Sequence, residues 1–276
     1  METIDYAMRV ATQLQSEGKL EQAETILNSI LDSHPTHAYA LHLSGIIAYQ
    51  AGKITSGVQL IQHAIESNAA VALFHSNLGE MHRQLKAIHL SIQCGQRAVA
   101  LDPNSATALS NLGIAYYDAK QYDQAEDCHK RALAINPKLA CSLNNMGSIY
   151  KIYGKTQQAI AFYQAAIAAS PHFVEPLNNL GLTLIGLDQY GEALLFFEKA
   201  LQFKPDYAEA YYGIAKVHFH QHDFIESERY IRKAIATNPQ QVEFYQLLAE
   251  IYHEQGNHVQ ALMYLDHALS MDSTLA

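Results

Sequence analysis

Apolar side chains recur along this chain at the spacing of a helix rather than with the alternation of a strand. Leu109, Leu112 and Tyr116 are one example, three and then four residues apart, so that they share a helical face. Glycines such as Gly18 and Gly154 separate successive apolar stretches, where a tight turn requires a positive φ. The pattern therefore predicts short amphipathic helices joined by tight turns.

The same pattern returns every 34 residues. Six of the seven prolines lie on one grid of this period: Pro35, Pro103, Pro137, Pro171, Pro205 and Pro239. Each can end a helix, because proline lacks an N–H and disfavours helix in the residue before it. Small residues return at the same period and let helices approach closely, as at Ala64, Ala98, Ala132, Ala166, Ala200 and Ala234. A fixed period of 34 indicates a stacked helix-turn-helix array.

The grid divides the chain into eight repeats, which we number in chain order: 4–37, 38–71, 72–105, 106–139, 140–173, 174–207, 208–241 and 242–275. We predict a single solenoid domain over residues 1–276, although the length alone would allow two ordinary domains. Positions are counted from the first residue of each repeat. We expect helix A over roughly the first 14 positions and helix B over roughly positions 18 to 31.

The net charge and its distribution along the chain argue against two classes of partner, nucleic acids and anionic membranes. The formal net charge is -9, and residues 72–207 hold 11 acidic and 11 basic side chains, so the two ends carry the excess. A chain without a basic stripe is not expected to bind nucleic acid or an anionic membrane surface. No apolar run reaches the roughly 18 residues of a membrane span, so we expect no membrane insertion. The N-terminal segment lacks the features of a cleaved signal peptide, which predicts a cytoplasmic protein and leaves export by another route open.

Residues that could carry chemistry do not form a recognisable site. The odd number of cysteines (Cys94, Cys128 and Cys141) is typical of a reducing compartment, and we interpret them as packing residues. His218 and His222 share a helical face, but His218 occupies a position that holds an interior tyrosine in other repeats. No nucleophile, phosphate-binding or metalloprotease motif is present. We therefore predict no catalytic residues, no metal and no cofactor.

The segment from Ala106 to Pro137 reads ATALSNLGIAYYDAKQYDQAEDCHKRALAINP. It resembles a tetratricopeptide repeat, with Leu-Gly, Tyr, Ala, Ala and Pro at the spacings of that family. Repeats 3 to 6 match best, and repeats 7 and 8 replace the glycine of helix A with Ala215 and Ala249. The resemblance implies an all-α fold, a right-handed α-solenoid of stacked helix pairs. It also implies a concave groove that binds a protein or an extended peptide.

A row of asparagines is the main candidate for that groove. In the family, positions 5 and 6 of helix A tend to line the inner face, and here these positions contribute Asn77, Asn111, Asn144, Asn145, Asn178 and Asn179. An amide both donates and accepts, so it can hold a peptide backbone without reading its side chains. The row resembles the asparagine ladder of O-linked N-acetylglucosamine transferase solenoids and of bacterial repeat–transferase fusions. The alternative is a purely structural ladder, in which each asparagine bonds the backbone of a neighbouring repeat.

Other groove positions supply aromatic, apolar and basic side chains. The candidates are Tyr117, Lys151, Leu182, Tyr212, Lys216 and Phe219. Aromatic anchors of this kind dominate many interfaces. The family's clamp for terminal carboxylates needs basic residues at position 2, and none of the eight repeats has one. Binding of acidic chaperone C-termini is therefore not expected.

Three functions fit this reading. The first is a protein-interaction module that binds an extended segment in its groove, and the second is the substrate-recruiting arm of a larger glycosyl- or methyltransferase. The third is an oligomeric structural scaffold. For the last helix B we expect Leu262, Leu265, Leu269 and Met271 to be partly uncovered. Solenoids need polar end caps, so this end can support self-association.

Overall fold

The computed structural model describes residues 2–273, which form α-helices and turns without a strand. The last residues of the predicted repeat 242–275, like the two ends of the predicted domain 1–276, lie outside this range. The helices are α1 (Glu2–Ser16), α2 (Leu20–Ser33), α3 (Ala38–Gln50), α4 (Ile54–Ser67), α5 (Ala72–Gln84), α6 (Ile88–Leu101), α7 (Ala106–Asp118), α8 (Tyr122–Ile135), α9 (Ala140–Ile152), α10 (Thr156–Ala169), α11 (Val174–Ile185), α12 (Tyr190–Phe203), α13 (Ala208–His220), α14 (Phe224–Thr237), α15 (Val242–Glu254) and α16 (His258–Ser273). The all-α prediction is confirmed.

Helix pairs follow the 34-residue period. From α3 onward each odd-numbered helix begins at the first residue of a predicted repeat, as Ala38, Ala72 and Ala106 do. Each even-numbered helix from α4 to α14 begins one residue before the expected start of helix B, as α6 does at Ile88. We keep the names helix A and helix B for the first and second helix of each pair.

The turn between helices A and B requires one residue with a positive φ. Glycine holds this place four times, with φ between 71° and 78° at Gly18, Gly52, Gly154 and Gly256. In the other four pairs the same place is held by Lys86, Lys120, Asp188 and His222, with φ between 59° and 61°. A left-handed residue here ends helix A abruptly, whatever its side chain, and starts helix B about one turn later.

The chain forms two compact units, which divide between Ser142 and Leu143. Each unit has its own buried apolar clusters. In the first unit one cluster includes Leu27 and Leu43, and another includes Ile61 and Phe74. Burying such side chains supplies about 1.5–3 kcal/mol each, which is what holds successive helix pairs together.

In the second unit the clusters are built around larger aromatic side chains. Tyr163 and Phe197 are fully buried in one of them, and Ile231 and Tyr252 lie in the other. Glycines make room for these rings, because a Cβ at Gly147 would lie 2.5 Å from the Tyr163 ring. The small positions of the repeat are therefore matched to specific large neighbours.

Candidate binding surface on the helices A

In the first unit, asparagines at position 6 bond side chains at position 5 of the preceding repeat. The Nδ2 atom of Asn77 lies 2.9 Å from Nε2 of His42. The Nδ2 group of Asn111 donates to Oγ of Ser76 at 3.1 Å. Both donors are half-buried, and both bonds join residues 35 apart in sequence. These amides therefore hold neighbouring helices A in register.

The second unit contains the same bond. The Nδ2 group of Asn179 donates to Oδ1 of Asn144 at 3.0 Å. Asn144 is buried, whereas Asn179 is half-buried. In both units, therefore, an asparagine at position 6 bonds the side chain at position 5 of the preceding repeat. The acceptor is an imidazole, a hydroxyl or an amide group. Sequence reasoning considered backbone acceptors for a structural ladder and missed these side-chain acceptors.

The ladder stops after repeat 6 for a steric reason. Oδ1 of Asn178 is buried and has no hydrogen-bond partner among residues 143–273. Position 6 of the next repeat is Gly213, which has no side chain to donate. A Cβ at Gly213 would lie 2.3 Å from the ring of Phe197, so this place is already filled. The amide of Asn178 is thus left as an acceptor without a donor.

Replacing a ladder asparagine should destabilise the fold measurably. Asn179→Ala leaves the buried oxygen of Asn144 without its donor, which is expected to cost about 1–3 kcal/mol. Asn145→Ala is the matched control, because Asn145 has the same repeat position and is half-buried but makes no side-chain hydrogen bond within residues 143–273. We expect its effect to stay within about 0.5 kcal/mol. Urea unfolding followed by circular dichroism measures both, and equal losses for the two variants would contradict the ladder.

Two buried histidines belong to hydrogen-bonded networks of the first unit. His42 stacks on Phe74 at 4.6 Å between ring centroids and faces the amide of Asn77. Burial lowers the pKa of His42 to about 4, so its Nε2 atom is a neutral acceptor at pH 7. Sequence reasoning did not assign His42 to the candidate surface, since position 5 varies from repeat to repeat.

His129 is fully buried against the backbone of Gly113, where a Cβ would lie 2.8 Å from the imidazole. Its Nδ1 atom lies 3.2 Å from Oγ of Ser142, which donates to Oγ of Ser110 at 2.9 Å. Because the hydroxyl proton of Ser142 points to Ser110, Nδ1 of His129 must be the donor to Ser142. Its Nε2 atom then has no proton and no partner in the part of the chain described, and burial lowers the pKa of His129 to about 4.

The charged groups of α5 and α7 are neutralised within the first unit. Arg83 bonds Glu80 of the same helix at 2.8 Å and Asp118 of the next helix A at 3.0 Å. Tyr117, a predicted groove residue, is half-buried and packs edge-on against Tyr122 with ring centroids 5.5 Å apart. This part of the surface presents a closed ion-pair network rather than an open charge.

The second unit differs, because the lysines on its helices A are not neutralised. Neither Lys151 nor Lys216 has a carboxylate within ion-pair distance among residues 143–273. Burial, together with the charge of Lys216, lowers the pKa of Lys151. Lys216 extends over the ring of Tyr212 with Nζ 5.6 Å from the centroid. The two ammonium groups are thus near enough to repel one another on the same surface.

The remaining candidates lie around these lysines or beyond them. Leu182 is half-buried and packs on the apolar cluster of the second unit, and Tyr212 packs against Phe244 with centroids 5.2 Å apart. Phe219 lines a depression of about 760 Å³ between α13, α15 and α16. The surface of the second unit therefore combines two lysines, two aromatic rings and the amide of Asn145, whereas the amide of Asn178 is buried.

The histidine-rich turn of repeat 7 has ordinary packing contacts. His218 stacks on Tyr230 at 5.6 Å and its Nδ1 atom lies 3.7 Å from a carboxylate oxygen of Asp223. His222 is the left-handed residue of the turn. Within the described range no three His, Cys, Asp or Glu side chains come together as metal ligands. None of the helices in that range has the length and apolar character needed to cross a membrane.

Sequence models of the tetratricopeptide repeat match most of the chain. The matched ranges are 69–138, 105–172, 154–208, 184–251 and 242–275. Among curated protein sequences, none matches. The family matches begin within repeat 2, in agreement with the looser pattern of the first two repeats.

Solved structures share the fold at low sequence identity. A chain of the APC/C hetero-tetramer Cut9–Hcn1 matches with a TM-score of 0.77 and 15% identity over 97% of this chain, which spans 53% of that chain. A tetratricopeptide repeat protein from Parabacteroides merdae gives 0.72 and 16%, with coverages of 91% and 99%. PilF of Pseudomonas aeruginosa gives 0.59 and 19%, with coverages of 70% and 88%. At these identities the likeness concerns the fold alone.

Proposed function

The chain belongs to the tetratricopeptide repeat family, and from this premise we propose that it binds an extended, acidic segment of a partner protein along the helices A of its second unit. The fold is that of a repeat module for protein interaction or scaffolding, and it fits a non-catalytic role. The proposal adds a place on the molecule and a chemical class of partner.

The observation that carries the proposal is the pair of lysines on this surface. Burial disfavours the charged form of Lys151, and the nearby charge of Lys216 disfavours it further, so this ammonium group is unfavourable in the free protein. An acidic side chain between Lys151 and Lys216 would remove the repulsion and form a hydrogen-bonded ion pair with each. The lysines of the partner-free protein therefore favour an anionic ligand.

The neighbouring side chains suit an extended protein segment rather than a small anion. Tyr212 and Phe219 offer apolar ring surface with few rotatable bonds, which makes aromatic residues common anchors at interfaces. The half-buried amide of Asn145 can bond a peptide backbone without selecting its side chains. The backbone contacts would give affinity, and the lysines would select a segment with an acidic residue.

We expect charge reversal of the lysines to abolish the selection of acidic peptides. The wild-type chain would be used to select from a displayed library of random short peptides, and binding of the selected sequences would be measured by fluorescence anisotropy. Lys151→Glu combined with Lys216→Glu should weaken binding of the selected peptides at least tenfold, or by about 1.4 kcal/mol or more in total, since two attractive charge contacts become repulsive.

Lys199→Glu is the matched control, because Lys199 lies on helix B of the same unit and its reversal changes the net charge without changing the helix A surface. It should leave peptide affinity within about twofold. Circular dichroism and melting would verify that all variants are folded. The proposal is wrong if the peptides selected by the wild-type chain are not enriched in acidic residues. It is also wrong if Lys199→Glu weakens binding as much as the combined Lys151→Glu and Lys216→Glu variant does.

A further inference from the structure

Within each unit, helix B has one position that is buried between its own helix A and the next helix A, as Phe197 is between Gly181 and Gly213. This is position 24, and its side chains include the fully buried Leu27, Ile61, Phe197 and Ile231. The contact is direct, because an ideal Cβ at Gly95 lies 3.2 Å from Cβ of Leu112, at position 7 of the following repeat. Stacking of successive repeats therefore depends on position 24 of one repeat meeting position 7 of the next.

The last described helix, α16, presents the same face without a helix A upon it. Leu265 holds position 24 and is 44% exposed, and its neighbours Leu262 and Leu269 are 66% and 60% exposed. Met271 is half-buried. Leu262 and Leu265 form the apolar side of the depression of about 760 Å³, and Glu250 and Glu254 lie on its polar side. The apolar side chains expected to be partly uncovered thus belong to the face that contacts the next helix A in interior repeats, and no helix A covers them among residues 2–273.

Helix α1 exposes the complementary face of a helix A. Tyr6, at position 3, is 65% exposed, whereas Phe244 at the same position is 3% exposed. Val10, at position 7, is half-buried, whereas the corresponding Leu112 is buried. In interior repeats, positions 3 and 7 of helix A pack against the preceding helix B. On α1 the side chains at these positions are more exposed to solvent.

We propose that α1 of one copy binds the face formed by α15 and α16 of a second copy, head to tail, and continues the repeat–repeat packing between molecules. In this arrangement Val10 would contact Leu265 as Leu112 contacts position 24 of its preceding repeat. The two surfaces are different patches of the same chain, so the contact is heterologous and can join more than two copies.

Charge at the contact supports the choice of α1 as the occupant. The pKa of Tyr212 is raised by burial and, to a smaller extent, by the charges of Glu243 and Glu250. Tyr212 holds position 5 of repeat 7, and the two glutamates hold positions 2 and 9 of repeat 8. Position 5 of one helix A therefore lies near positions 2 and 9 of the next helix A. One helical turn further on, position 9 lies near position 6 of the following helix A. Position 9 of the last repeat is Glu250 and position 6 of the first is Arg9, and neither has an ion pair among the described residues.

The first experiment measures mass against concentration for the purified chain by sedimentation velocity in about 0.15 M salt, where the acidic excess of both ends is largely screened. We expect the average mass to rise with concentration for the wild type and to remain that of a monomer for Leu265→Glu. Leu195→Glu is the matched control, because Leu195 is 65% exposed on helix B of repeat 6 and should leave association unchanged. A wild type that remains monomeric up to about 0.5 mM overturns the proposal, since that concentration would reveal association with a Kd of about 1 mM or tighter.

The second experiment identifies the occupant. One preparation carries Val10→Cys and another carries Leu265→Cys, and the mixture is oxidised and analysed by mass spectrometry. The Cβ separation found at the equivalent interior contact is near the range of about 3.5–4.5 Å that disulfides require, so a bond between residues 10 and 265 of different copies is expected. The three native cysteines are present in both preparations and serve as the internal control.

Two results, one from cross-linking and one from sedimentation, would overturn head-to-tail binding. A bond between two copies of residue 265 would indicate that α16 pairs with itself. Association that is lost in Leu265→Glu but unchanged in Tyr6→Glu would indicate an occupant other than α1. The charge pair adds a third readout, because Arg9→Glu should weaken association at least threefold and Glu250→Arg in the same chain should restore it.

Discussion

Acidification from pH 7 to pH 4 is expected to destabilise the first unit by several kcal/mol. In the folded chain burial lowers the pKa of His42 and of His129 from 6.5 to about 4. In the unfolded chain both imidazoles take up protons below pH 6.5. The unfolded state therefore binds more protons between pH 6.5 and pH 4, and the free energy of unfolding falls as the pH is lowered through this range. Each histidine contributes about 3 kcal/mol at pH 4.

The structure explains why protonation is unfavourable at each site. A proton on Nε2 of His42 would point at the amide nitrogen of Asn77, so that two donors would face one another until the amide rotated. A proton on Nε2 of His129 would be buried without an acceptor in the part of the chain described. Such a group typically destabilises a protein by about 1–3 kcal/mol.

Hydrogen exchange read by mass spectrometry, peptide by peptide, measures the effect where it arises. Opening of α3 to α8 should become easier between pH 6.5 and pH 4, after correction for the intrinsic exchange rate. The variant with His42→Gln and His129→Gln should lose most of this pH dependence, even where its stability at pH 7 is lower. His63→Gln changes an exposed histidine of the same unit and should keep the wild-type pH dependence. An unchanged slope in the double variant would contradict the assignment.

Phe197→Ala should be the most destabilising single substitution in the second unit. The ring is fully buried in the cluster that joins repeats 6 and 7, and it fills the space over Gly181 and Gly213. Its removal takes away a large apolar contact and leaves a cavity between two glycines that cannot collapse onto it, so we expect a loss of about 3–5 kcal/mol. Leu195→Ala, an exposed site on the same helix, should change stability by less than about 0.5 kcal/mol. Urea unfolding of both variants gives the comparison.

The same contact predicts a strong coupling between Phe197 and Gly213. In the wild type, Gly213→Ala would place a methyl group 2.3 Å from the ring and should destabilise the chain by about 1–3 kcal/mol. In the Phe197→Ala background the methyl group has room, and alanine is the better helix former by about 1 kcal/mol. The second substitution should then be neutral or stabilising, and a cycle whose effects simply add would show that the ring does not occupy this space.

Sequence periodicity was sufficient for most of the fold. Prolines, small residues and apolar residues each returned at 34 residues, and the helices lie within a residue or two of the expected places. The reason is physical: each repeat packs mainly on its neighbours, so the constraints on a position are local and recur with the period. The pattern did not predict the left-handed conformation of the four turn residues that are not glycine. These residues, Lys86, Lys120, Asp188 and His222, are of types that carry no distinctive signal for a positive φ.

The candidate surface could be predicted only in part. Helical spacing and family resemblance placed the asparagines on helix A, but a linear pattern does not show which amide meets which acceptor. The bond from Asn179 to Asn144 depends on the offset between two packed helices, and the absence of a partner for Asn178 depends on the ring of Phe197 filling the space beside Gly213. The open charges of Lys151 and Lys216 likewise became visible only when the positions of the carboxylates were known.

The amino-acid order alone thus established the repeat, the helix pairs and the family, because these follow from short-range spacing repeated many times. Three-dimensional packing was needed to separate structural amides from available ones, to find two neutral buried histidines, and to show that Leu265 lacks the cover that Phe197 and Ile231 receive. Each of these depends on which side chains approach from a neighbouring repeat, and a side chain's partners across an interface are set by helix offsets and ring orientations that the repeat pattern does not encode.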